Sequence, residues 1–127
     1  MAILEGTRGQ KTYVGEYDFA RDGGAVSTIV LRSEDGPLPT GAIIMSGVLD
    51  ITTAVLSATG TVALQAEAAA DLLAASAQAA LTLGRKSIIP AGTGASSVKT
   101  TASRAPAMVI ATAALTAGKF TLRLSYL

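Results

Sequence analysis

From residue 119 to 126 the chain alternates without a break. Lys119, Thr121, Arg123 and Ser125 are polar, and Phe120, Leu122, Leu124 and Tyr126 are apolar. A period of two predicts a strand with one wet and one dry face. The same period begins at Thr12: Tyr13, Gly15, Tyr17 and Phe19 share one face, Thr12, Glu16 and Asp18 the other, and Val14 interrupts the wet face. Arg21-Asp22-Gly23-Gly24 predicts a turn, because glycine supplies positive φ without steric cost. An apolar, β-branched run follows at 25–33, then a loop at 34–41 that Pro37 and Pro39 keep out of any regular ladder. Residues 42–56 carry the alternating set Ile43, Met45, Gly47, Leu49 and Ile51. The run is long for one strand, which predicts a bend or bulge near Gly47 or Asp50 that divides it in two. Gly60 then turns into a short strand at 61–65.

Residues 66–80 set propensity against context. Alanine leads the helix scale, yet β-type segments lie close on both sides, and past Leu72 and Leu73 only alanine continues an apolar stripe. The compromise is about two turns of α or 3₁₀ helix near 68–76. Strand resumes at 80–84, with further short strands around Pro90 and the Gly92/Gly94 loop. Strands at 107–114 and 119–126 close the chain, joined by a hairpin at 115–119 with Gly118 at a positive-φ position. About eight or nine short strands with turn signals roughly every ten residues read as an all-β antiparallel sandwich or barrel. Neither a repeat nor a linker divides the chain. The expected organisation is an extended N-terminal arm, 1–11, followed by one β-sandwich domain, 12–127.

Composition narrows the function. Half of the 127 residues are apolar, yet aromatics amount to three Tyr, two Phe and no Trp, so the core is built of small aliphatic pieces. Charged residues are 15%, below the roughly 25% of an ordinary soluble domain; a low-charge, Ala- and Thr-rich surface suits a protein that faces other protein. Net charge is +1 and only Arg85 and Lys86 are adjacent bases, which argues against nucleic-acid binding. The N-terminus lacks the basic and apolar blocks of a signal peptide. The most apolar window, 62–83, carries Glu67 and Asp71, so no membrane partner is expected.

Candidate chemistry is sparse. Neither histidine nor cysteine occurs, which excludes Ser-His-Asp and Cys-His catalysis and any imidazole or thiolate metal site. Asp18 and Asp22 beside Gly23 and Gly24 are too few for a calcium loop. Glu16 and Asp18 stand roughly 6–7 Å apart on one strand face, a separation that glycosidase carboxylates use, but the aromatics Tyr13, Tyr17 and Phe19 point the other way. Ser96-Ser97-Val98-Lys99 fits S-x-x-K without its companion motifs, and Gly92-Thr93-Gly94 is half a dinucleotide fingerprint; both read as turns. No enzyme activity, cofactor or metal is expected. What remains is association. Ile3 and Leu4 tip a polar arm that carries Arg8, and Pro37 and Leu38 sit in the exposed loop; these five are the candidate partner contacts. Fixing the arm costs about 1–2 kcal/mol per residue and burying two aliphatic side chains returns roughly 3–6 kcal/mol. Anchoring therefore also needs backbone hydrogen bonds, as in strand addition to a partner's sheet edge.

The C-terminal part, from Val48 to Leu127, resembles small structural proteins of the head-gene modules of tailed bacteriophages. The residues that carry the likeness are Ala70-Asp71-Leu72-Leu73, Lys99-Thr100-Thr101, and Leu115-Thr116-Ala117-Gly118-Lys119 before a closing strand with Tyr126. The resemblance implies a capsid decoration, or cement, protein with a jelly-roll-like sandwich. Such a protein is made in the host cytoplasm, sits as a dimer or trimer on the outside of the virion, and braces the major capsid protein. It implies no catalytic residue. The alternatives are a tail or neck component of similar architecture and a carbohydrate-binding β-sandwich module, the latter disfavoured by the lack of Trp.

Overall fold

The computed structural model describes residues 11–69, 71–88 and 98–127. Within them the chain folds as two packed antiparallel sheets. Sheet A runs in the order β1 (Lys11–Asp18), β9 (Ala117–Tyr126), β3 (Ile43–Leu56), β6 (Gly84–Ile88), with the short β7 (Val98–Lys99) paired to the start of β3. Sheet B runs β2 (Ser27–Val30), β8 (Ala107–Ala111), β4 (Thr61–Gln65), β5 (Leu73–Ala77). Five strands in sheet A and four in sheet B, with sequential strands repeatedly changing sheet, make a jelly-roll-like sandwich. A single helical turn, α1 (Phe19–Asp22), and a 3₁₀ turn, Gln78–Ala80, complete it.

The core follows from the alternation. On β1 Tyr13, Gly15 and Tyr17 are buried, and on β9 Phe120, Leu122 and Leu124. These two strands pair from Lys11↔Tyr126 to Asp18↔Lys119. From sheet B come Val62 and Leu64 of β4 and Met108 and Ile110 of β8. Leu64, Met108, Leu122 and Leu124 have no exposed surface. Tyr17 stacks on Phe120 with ring centroids 5.3 Å apart and donates its hydroxyl to the Gly23 carbonyl at 2.6 Å. Burial, then the negative charges of Asp22 and Asp18, push the Tyr17 hydroxyl up to about 12. Gly23 has φ 77, as the turn reading requires.

Several expectations differ from the structure. The described residues of 68–76 hold no helix: the chain bends at 66–69 and at 71–72 and then forms β5, and the 3₁₀ turn comes later, at Gln78–Ala80. The cause is Asp71, whose carboxylate accepts the N–H groups of Ala66, Glu67 and Ala68 at 2.8, 2.9 and 2.8 Å. A side chain that collects three backbone donors fixes a turn and outweighs alanine's preference. Residues 80–83 are not strand; β6 begins at Gly84. The run at 42–56 stays one strand, β3, whose pairing with β9 shifts register between Ile44 and Ser46, Ile51 and Thr53, and Thr53 and Leu56. The first shift moves Ile44 inward and leaves Met45 53% exposed. Residues 107–126 are not a hairpin, because β8 lies in sheet B and β9 in sheet A; 112–116 is a crossover between layers, and Gly118, with φ 151, is the second residue of β9. The last arm residue of the expected partition, Lys11, already belongs to β1.

Gly47 of β3 lies where a Cβ would come within 2.8 Å of both Ile88 and Leu124, so β6 and β9 close over it only because it lacks a side chain. Replacing Leu124 by Ala at this spot should cost about 2–5 kcal/mol by chemical denaturation, whereas Leu83→Ala, at a side chain 70% exposed, should stay within about 0.5 kcal/mol.

Candidate assembly surfaces

The carboxylates singled out in the sequence serve the free edge of β1. β9 pairs with one side of this strand; on the other, Val14, Glu16 and Asp18 turn their N–H groups outward. Each finds an acceptor. Val14 donates to Asp35 Oδ2 at 2.8 Å, Glu16 to the Arg32 carbonyl at 2.8 Å, and Asp18 to Asp22 Oδ2 at 2.9 Å. Arg32 returns its own N–H to the Glu16 carbonyl at 3.1 Å. Its guanidinium holds Asp22 at 3.0 and 3.1 Å and reaches Glu16 at 3.8 Å. Burial pushes the Asp22 carboxyl up, but the hydrogen bonds from Arg32 and Asp18 outweigh it and hold the group below its ordinary value. Asp18 accepts from Ala20 N–H at 3.0 Å and caps α1. Asp18 and Asp22 are thus committed to the edge and its turn. The cleft of about 560 Å³ beside them, lined by Val14, Glu16, Arg21, Arg32, Ser33, Glu34 and Asp35, is lined by charges that largely neutralise one another.

A second polar cluster ties the loops at one end. Glu67 accepts from Thr101 N–H at 3.1 Å, Thr101 Oγ1 at 2.8 Å and Arg104 Nε at 2.8 Å. The Thr101 amide, then the side chains of Arg104 and Thr101, lower the Glu67 carboxyl to about 2. Arg104 also exchanges backbone hydrogen bonds with Leu38, at 2.7 and 3.0 Å. This corrects the placement of Leu38: it is 1% exposed and its side chain belongs to the core, while neighbouring Pro37 is exposed. Ile3, Leu4 and Arg8, and likewise Gly92, Gly94, Ser96 and Ser97, lie outside the described residues.

The two outer faces of the sandwich have opposite chemistry. On sheet A the register lines up Glu16, Thr121, Asp50 and Arg85 in one row and Val14, Arg123, Val48 and Ser87 in the next. On sheet B the rows read Val30, Ala107, Gln65, then Thr28, Val109, Ala63, then Ala111, Thr61, Ala77. No residue of β2, β4, β5 or β8 is charged. The four uncharged segments can be read off the chain, but nothing local reveals that they form one sheet.

No family model and no curated protein matches this sequence. Solved structures do. The chain superposes on one in the capsid asymmetric unit of cyanophage Pam1 with TM-score 0.64 and 21% identity, over 99% of this chain and 91% of that one. A chain of the Ralstonia phage GP4 capsid gives TM-score 0.69 and 15% identity, over 99% and 88%. One of the acid-stable capsid of Helicobacter pylori bacteriophage KHP30 gives TM-score 0.62 and 15% identity, over 92% and 86%. The fold is that of chains found in bacteriophage capsids. Since each neighbour is itself covered almost completely, the likeness runs from whole chain to whole chain.

The Glu67 cluster yields a pH dependence. A carboxyl lowered from 4.5 to about 2 on folding contributes stability that is fully present above the unfolded value and is lost as pH falls through the folded one. Glu67→Gln should therefore melt below the parent at pH 7. The gap between the two should shrink between about pH 4.5 and pH 2; a gap independent of pH in thermal melts would remove the carboxylate from this role.

Proposed function

We propose that this chain is a structural virion protein that binds the outside of an assembled tailed-phage capsid and stabilises the shell. The observation that carries the reading is the near-complete fold match, in both directions, to chains of three phage capsid structures. The polar side chains support it: the carboxylates and arginines of both clusters hold strand edges and loops in place. A protein that binds only the assembled shell stabilises that state by mass action, and many symmetric copies let modest contacts add up. The partner is the major capsid protein, and the arm with Ile3, Leu4 and Arg8 adds a segment to the contact.

Purified protein mixed with shells that lack it should bind to saturation, raise the temperature at which the shells break open, and appear as density outside the shell in a low-resolution map. Density on the tail, or none on the particle, would overturn the reading. Deletion of residues 2–9 should leave the domain folded, with a melting temperature changed by only a few degrees, and weaken shell binding at least about tenfold, equivalent to 1.4 kcal/mol.

A further inference from the structure

The two strands at one side of the sandwich, β1 and β2, treat their free edges differently. The edge of β1 is closed by Asp35, Arg32 and Asp22, as described. β2 is the outermost strand of sheet B and pairs with β8 alone among the described residues. The bond from Leu31 N–H to the Pro106 carbonyl at 3.1 Å fixes the phase: Ser27 and Ile29 also turn their backbone groups toward β8, so Thr28 and Val30 turn theirs outward. Among the described residues no side chain caps them, and α1 packs on β1 and β9 instead. An uncapped edge is a template for another strand.

The side chains on this edge say which strand. Val30 is 58% exposed and Val26, at the bend before β2, 56%. Thr28 lies midway between them. None of Ala25 to Val30 is charged, so the segment meets no like charge when it faces itself. We propose that β2 pairs antiparallel with β2 of a second copy across a two-fold axis at Thr28, joining the two B sheets into one eight-stranded sheet. In this register Thr28 meets Thr28 of the partner subunit as a hydrogen-bonded pair, and Val30 of each copy lies against Val26 of the other. One symmetric contact therefore satisfies the outward backbone groups and covers both exposed valines. It is isologous and closes at two copies, and it doubles the width of the uncharged outer face. Self-association through β2 is independent of the reading as a shell protein and is measured without particles.

Sedimentation of the purified chain at micromolar concentration should report a dimer. Thr28→Pro removes an outward N–H that the monomer does not use, and Val30→Lys puts a charge beside the axis. Each should weaken dimerisation at least about tenfold, a change of 1.4 kcal/mol, and leave the melting temperature of the monomer within a few degrees. Hydrogen-bonded antiparallel pairs hold their Cα atoms about 5.5 Å apart, inside the disulfide window of about 4.4–6.8 Å. Since the chain has no cysteine of its own, Thr28→Cys should cross-link to a covalent dimer on mild oxidation, while Thr12→Cys on the β1 edge should not. A monomeric parent chain, or a dimer that Val30→Lys leaves intact and Thr28→Cys does not cross-link, overturns the proposal.

Discussion

Leu122 and Leu124 of β9, Leu64 of β4 and Met108 of β8 meet between the sheets with no surface left to water. With only five aromatic rings in the chain, that layer is made of aliphatic pieces and spans one side chain from each sheet. The loops at its ends must therefore be held by hydrogen bonds, and every buried polar side-chain atom among the described residues has a partner. Ser57 donates to the Ala114 carbonyl at 2.9 Å and accepts from Gly60 N–H at 3.0 Å. Thr100 donates to the Pro39 carbonyl at 2.6 Å and accepts from Ala42 N–H at 2.9 Å. All but the Gly60–Ser57 bond join segments far apart in sequence, so the polar staples and the dry layer fix the same topology.

How much of this was legible depends on whether a residue's role is set locally. β1 and β9 were readable because each has one buried face, and the two-residue period records it. The all-β class followed from the turn signals. The 66–80 segment was misread because Asp71 acts through its three neighbouring N–H groups, an effect that propensity does not weigh. Leu38 was misread because a leucine between prolines looks like an exposed tip; its backbone pairs with Arg104, 66 residues further along the chain. A hairpin and a crossover between sheets look alike over 107–126, since both need only two strands and a glycine-bearing turn. The Glu67 cluster was not found at all: Glu67, Thr101 and Arg104 are brought together by the fold and share no spacing.

The charge distribution divides the molecule by layer. Sheet A carries acids and bases side by side across its outer face, a pattern that water and salt accommodate easily. Sheet B presents Ala, Thr, Val and Gln, side chains that another protein surface can approach closely without stranding a charge. The edges repeat the division: β1 is finished with carboxylates, and β2 has no cap among the described residues and is flanked by valine.

The position of β9 has a kinetic consequence. It lies between β1 and β3, so β1 has its hydrogen-bonding neighbour more than a hundred residues further along the chain. Sheet A cannot close until the chain has been made through Tyr126. Topologies dominated by such distant pairings fold slowly, and until then β1 and β3 expose unpaired backbone to whatever else is nearby. The interval before β9 arrives is when wrong pairings compete, and Glu16, Asp18 and Asp50 put carboxylates on those waiting strands.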